Sequence, residues 1–174
     1  GVVHLDLKKA FDTVNVNCLL QKLSHIGVRN MELQWFRNYL NGRKQCVCIN
    51  GITSCKQYIE HGVPQGSILG PLLFVLYVND LAMVTSKCKL ILYADDTVLM
   101  SSGHSVAQIS VDLEHDLASA HYWFNLNRLH LNISKTKFML FGTAQKLKTC
   151  DTPSVSINGT EIDQVTNYKY LGVQ

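Results

Sequence analysis

The stretch that most restricts this chain's fold is residues 90–100, LILYADDTVLM, where two adjacent aspartates interrupt what otherwise reads as buried strand. Burying an unpaired charge is costly or forces its neutralisation. Neighbouring side chains on one strand also point to opposite faces, so Asp95 and Asp96 cannot serve one site from within a continuous strand. A tight turn resolves both problems. If Tyr93-Ala94-Asp95-Asp96 is a hairpin turn between strands at residues 89–93 and 97–101, both carboxylates project from the end of a sheet.

The remaining pattern mixes strands and helices without regular alternation, which predicts an α+β fold. Residues 1–7 read as a strand with Asp6 at its C-terminal end. Helical spacing follows at 17–26 and 31–40, and Asn50-Gly51 marks a hairpin. Apolar density from Leu69 to about Val84 predicts a mostly buried helix, with Pro71 near its first turn where the missing N–H costs little. A long amphipathic helix is expected at about 105–129, then a strand around 137–141, a polar loop at 143–153 and a hairpin centred on Asn158-Gly159.

With 47% hydrophobic and 17% charged residues in 174, the chain has material for one core, and a single domain is expected. The formal charge of +3, from 16 basic against 13 acidic residues, is too slight to argue nucleic-acid binding, so any basic surface is local. Six cysteines in a chain with ample apolar material read as reduced thiols. Cys46 and Cys48, with Cys55, lack zinc-knuckle spacing and a second pair, and an alternating strand explains them better. The longest apolar run, residues 68–78, falls well short of the roughly 20 residues that cross a bilayer. The opening GVVHLDL lacks signal-peptide features. An intracellular protein, nuclear or cytoplasmic, not secreted and not membrane-bound, is expected. Both ends look cut, which suggests a piece of a longer polypeptide.

Asp6 can join Asp95 and Asp96 if its strand ends beside the turn. Three carboxylates in a small volume repel one another, and a divalent cation relieves them. Hard oxygen donors without nearby His or Cys favour Mg²⁺ or Mn²⁺ over zinc. Magnesium completes its shell with water and substrate phosphates, which points to two-metal phosphoryl transfer. A solvated turn is the plainer explanation of an Asp-Asp pair taken alone.

Five segments carry further information: HLDLKKAFDTVN, HGVPQGSILGPLLFVLYVNDL, LILYADDTVLM, LNISKTKFMLFG and YKYLGV. In this order they resemble the palm motifs of reverse transcriptases, most closely those of LINE-type non-LTR retrotransposons, and they cover almost the whole chain. The resemblance implies a right-hand palm with a ferredoxin-like core. It implies that Asp6 and Asp95 bind two Mg²⁺ ions, with Mn²⁺ a possible substitute, and that Asp96 supports them. Phe11 matches a steric gate that excludes a 2′-hydroxyl, against the alternative of core packing. Gln65 and Gly66 match the segment lying against the incoming nucleotide and template base, against the alternative of a surface turn. Lys135 matches a lysine that meets the leaving pyrophosphate, and Tyr170, Leu171 and Gly172 match the primer grip. The implied partners are an RNA or DNA template, a DNA primer and dNTPs; the motifs specify no oligomeric state.

Other readings compete with this one. Asp-Thr-Val at 12–14 and at 96–98 is similar to the paired motifs of pepsin-like proteases, but Val stands where that family has Gly. Group II intron and retron reverse transcriptases share the YADD word, while DLKKAFDTV and GVPQGSILGPLLF lean towards retrotransposons. A non-catalytic remnant that folds or binds nucleic acid is the second expectation, because most of the fingers and the thumb are missing. These 174 residues alone are expected not to extend a primer.

Overall fold

The computed structural model describes residues 1–149 and 154–173. In chain order it contains β1 (Val2–Leu5), α1 (Ala10–Thr13), α2 (Val16–His25), α3 (Asn30–Leu40), β2 (Lys44–Gln45), β3 (Cys48–Ile49), β4 (Ile52–Thr53), β5 (Gln57–Tyr58) and α4 (Leu69–Val78). There follow β6 (Lys89–Tyr93), β7 (Asp96–Met100), α5 (Val106–Leu126), β8 (Lys137–Met139), α6 (Ala144–Thr149), β9 (Ser156–Ile157), β10 (Thr160–Glu161) and β11 (Asp163–Gln164). The chain divides into two compact units, Gly1–Lys8 with Asp80–Gln174, and Lys9–Asn79.

The first unit is built on a five-stranded sheet in the order β11-β8-β1-β7-β6. All neighbours are antiparallel except β11, which runs parallel to β8. Without β11, the strands in chain order are arranged 4-1-3-2, the ferredoxin-like order that the motif resemblance implied. Alternation sorts the side chains: Val3, Leu99 and Phe138 are fully buried on one face. Helix α5 packs on β7, and its Ile109, Leu113, Leu117, Ala120 and Phe124 recur at helical spacing and are buried. Each fully buried leucine there contributes about 2 kcal/mol. Ser105 starts α5 by accepting from Gln108 N at 3.2 Å, and the Asn127 amide closes it by donating to Trp123 O at 2.9 Å.

In the second unit, Asn15 caps α2 by accepting from Cys18 N at 3.0 Å. Leu19, Leu20 and Leu23 of α2 are buried, and the helix packs on α3 and α4. The expected two strands around Asn50-Gly51 are each broken in two. Lys44 pairs with Tyr58 and Gln45 with Gln57, whereas Cys48 pairs with Thr53 and Ile49 with Ile52. Between these ladders Cys46 and Val47 face Ser54, Cys55 and Lys56, so one extra residue bulges the hairpin. At the tip Asn50 (φ 50°) and Gly51 (φ 81°) both adopt the left-handed conformation of a type I′ turn.

Two expectations change. The helix from Leu69 ends at Val78 and tightens into a 3₁₀ turn over Asn79–Met83. The polar loop begins with a helix, α6, because Thr143 Oγ1 accepts from Lys146 N at 3.3 Å ahead of the helix-forming Ala-Gln-Lys-Leu run. The rest of that loop, including Cys150, lies outside the described residues. Strand β11 is two residues long, too short to show a sequence pattern of its own. No helix among the described residues is long and apolar enough to cross a membrane.

Candidate active site

Strand pairing brings the three aspartates to one end of the sheet. Leu5 of β1 faces Thr97 of β7 at the last pair of that antiparallel ladder, so Asp6 follows at the strand end, near enough to Asp96 for its charge to act on that carboxyl. Pairing between β6 and β7 closes at Tyr93 and Asp96, leaving Ala94 and Asp95 as a two-residue turn. Ala94 holds φ at 52°, a conformation that costs a non-glycine residue about 1–2 kcal/mol. The backbone of Asp6 is held on both sides: its N–H donates to the buried Thr136 Oγ1 at 3.4 Å and its carbonyl accepts from Asn132 N at 2.7 Å.

Electrostatics record the convergence. The Asp96 carboxyl is pushed above its ordinary range by burial first, then by the charges of Asp95 and Asp6. The Tyr168 hydroxyl is raised by burial and by Asp6 and Asp96, and that of Tyr170 by burial, Asp96 and Tyr93. The donors are hard oxygens, suited to magnesium, which needs only one or two protein carboxylates. A ready-made cluster of three is not found: no three His, Cys, Asp or Glu among the described residues stand together closely enough to hold a metal ion.

Residues that the sequence reading passed over support this end of the sheet. His4 lies two residues before Asp6 on the same side of β1, is buried, and stacks on Tyr168 with centroids 4.2 Å apart and planes at 19°. Tyr170 tilts against the same ring at 5.3 Å. The buried His4 Nδ1 has no hydrogen-bond partner among the described residues, and burial lowers its pKa. Tyr170 and Val173 exchange backbone hydrogen bonds of 2.7 and 2.9 Å around Leu171 (φ 48°) and Gly172 (φ 82°), so the expected primer-grip residues form a type I′ turn.

Lys135 and Lys137 are told apart by their partners. Lys137 is committed to Asp163 Oδ2 at 2.6 Å and to Ser134 O at 2.7 Å. Lys135 is exposed in the turn whose Asn132 and Thr136 hold Asp6, and its ammonium has no partner among the described residues.

At the opposite end of β6 lies a second carboxylate, Asp116 of α5, fully buried. Ser86 N, Lys87 N and Cys88 N donate to it at 2.7–3.2 Å, and His115 Nδ1 lies 2.9 Å from it. Burial alone would raise its pKa, but these hydrogen bonds outweigh burial and hold it below the ordinary value. The Cys88 thiol, between Asp116 and Asp112, is pushed up to about 12 by burial and then by Asp116.

Phe11, Gln65 and Gly66 belong to the Lys9–Asn79 unit. Phe11 is half-buried and packs on Phe74 with centroids 4.5 Å apart, which leaves part of its ring open. Gln65 and Gly66 are exposed, and Gly66 needs glycine for its φ of +77°, not for a close approach, since a Cβ there would meet open space. Close approach belongs to Gly70, where a Cβ would stand 2.4 Å from the Pro64 carbonyl oxygen. Ser67 Oγ donates to that oxygen at 2.7 Å and accepts from Gly70 N at 2.9 Å, fixing the Pro-Gln-Gly turn ahead of α4.

Residues 1–174 match the family model described as reverse transcriptase (RNA-dependent DNA polymerase). Among curated proteins, the chain is 29% identical over 180 residues to the RNA-directed DNA polymerase from mobile element jockey of Drosophila funebris, covering 99% of this chain and 19% of that one. The jockey polymerase of Drosophila melanogaster is 30% identical, over 97% and 19%. The Retrovirus-related Pol polyprotein from type-1 retrotransposable element R2 of Popillia japonica is 27% identical, over 99% and 30%. The chain thus spans about a fifth to a third of these relatives. Among solved structures, telomerase from Candida albicans superposes with a TM-score of 0.58 at 16% identity, over 93% of this chain and 30% of that one. Apo telomerase from Candida tropicalis gives 0.59 at 16% identity, over 93% and 33%. This likeness is one of fold.

Proposed function

The chain belongs to the reverse transcriptase (RNA-dependent DNA polymerase) family, and from that premise we propose that it is the palm segment of a LINE-type, non-LTR polymerase. The proposed reaction adds dNTPs to the 3′-hydroxyl of a DNA primer along an RNA or DNA template, in the nucleus or cytoplasm. The observation that carries this reading is the register that pairs Leu5 with Thr97 and so ends β1 with Asp6 near Asp96, with Asp95 in the adjoining turn. Asp6 and Asp95 would hold Mg²⁺, or Mn²⁺ in its place, with Asp96 in support. Two such ions, when bound, supply activation of the primer hydroxyl and neutralisation of triphosphate charge.

The chain's own residues do the positioning. Thr136 and Asn132 hold the backbone of Asp6, so its carboxylate leaves a fixed strand end. Lys135, exposed beside the turn that holds Asp6, would meet the charge that develops on the departing pyrophosphate. Phe11 would abut the sugar, Gln65 and Gly66 would lie against the incoming nucleotide and template base, and the turn at Tyr170, Leu171 and Gly172 would support the primer end. Sequence comes from base pairing, so the protein needs backbone contacts and not base readout, in keeping with a net charge of only +3.

In the full-length protein, Asp95→Ala with Asp96→Ala is expected to reduce cDNA synthesis to background while circular dichroism and thermal unfolding show a folded chain. Retained synthesis refutes the metal assignment. Phe11→Val is expected to raise ribonucleotide incorporation, and unchanged sugar discrimination removes the gate assignment.

A further inference from the structure

One side-chain hydrogen bond in the Lys9–Asn79 unit joins residues 53 positions apart. Gln65 Nε2 donates to Asp12 Oδ1 at 2.6 Å, the short length of a charge-assisted bond. An ionised carboxylate only accepts, so it dictates which end of the amide turns towards it. The Gln65 NH₂ group must face Asp12, and the Oε1 acceptor must face away.

Two exposed, flexible side chains would not hold this arrangement by themselves, and the backbone supplies the order. Gly62 N donates to Val14 O at 2.8 Å and Val63 N donates to Phe11 O at 2.9 Å, so the chain leading into Gln65 is tied on either side of Asp12. Gly62 adopts φ +89°, and a Cβ there would stand 2.9 Å from both Cα and O of Asp12. The approach is possible only for glycine. Pro64, with φ restricted by its ring, joins this anchored segment to Gln65.

Asp12 and Gln65 line a cleft of about 570 Å³ whose wall also carries Lys9, Arg43 and His61. Basic groups suit a phosphate-bearing ligand, and an oriented amide oxygen beside them suits a hydroxyl donor on that ligand. We propose that Asp12 is a positioning residue that sets the Gln65 amide with its carbonyl oxygen towards a hydroxyl of the incoming nucleotide. Asp12 acts through Gln65 and does not touch the nucleotide. The inference rests on the reading of Gln65 as nucleotide-facing.

The test is steady-state kinetics of the full-length polymerase with single dNTPs. Asp12→Ala is expected to raise the dNTP KM about three- to tenfold, the range commanded by one hydrogen bond, with kcat and the unfolding temperature nearly unchanged. Asp12→Asn, which keeps an acceptor but no longer dictates the amide's orientation, is expected to fall between wild type and Asp12→Ala. Adding Asp12→Ala to Gln65→Ala is expected to cost nothing beyond Gln65→Ala alone. Additive losses overturn the proposal, as does a normal KM for Asp12→Ala when Gln65→Ala is impaired; in both cases the reading of Gln65 stands. A normal KM for Gln65→Ala overturns that reading and the proposal together.

Discussion

Strand β6 has a carboxylate group beyond each end, and the two ends treat charge in opposite ways. Near its start, Asp116 is fully buried, yet three backbone N–H groups and His115 surround it and its pKa falls. At its far end, Asp96 is only partly buried, yet its neighbours Asp95 and Asp6 are themselves acids and its pKa rises. Burial pushes both groups the same way, so partners decide the difference. A carboxylate given donors on every side is spent on the fold. One placed among other carboxylates keeps its capacity to bind a cation, at a cost in stability.

The largest expected effect lies at the satisfied end. Asp116→Ala removes the acceptor from three part-buried backbone N–H groups in the turn before β6, and each donor that water does not reach in its place costs about 1–3 kcal/mol. A loss of about 3 kcal/mol or more in urea unfolding is expected; a loss under about 1 kcal/mol would show that water replaces the carboxylate. The pH dependence has a definite sign. Because the folded pKa lies below 3.8, the stability that Asp116 contributes is present above that value and is lost as pH falls through the lowered folded pKa.

Only one end of this contrast was legible from the sequence. The Asp95-Asp96 turn is a local pattern, an apolar strand on each side of a charged pair, and the Asn-Gly turns at 50–51 and 158–159 are local as well; at both, the structure has left-handed turn residues. Asp116 lies in an amphipathic helix like any polar residue, and its partners are 28 to 30 positions away. The Gln65–Asp12 bond spans 53 positions and the His4–Tyr168 stack joins the two ends of the chain. Such pairings depend on the docking of separate elements, which no local periodicity encodes. For Asp6 the strand end was readable, but its place near Asp96 follows from a register that only the folded sheet sets.

The smallest effect sharpens the comparison at the unsatisfied end. A raised folded pKa means that native Asp96 binds more protons than the unfolded chain between 3.8 and that higher value, so its contribution to stability declines as pH rises through the window. Asp96→Asn keeps the shape and removes the charge, and is expected to stabilise the chain at pH 7 by about 0.5 kcal/mol, the scale of a cross-strand like-charge pair. Urea unfolding at pH 7 and at pH 4 would show the gain shrinking towards acid. Magnesium should reverse the ranking: an ion that binds the native carboxylates stabilises wild type by mass action, and Asp96→Asn forfeits part of that gain. If Asp96→Asn is destabilising at pH 7, the charge at this turn is satisfied after all, and the two ends of β6 do not differ in kind.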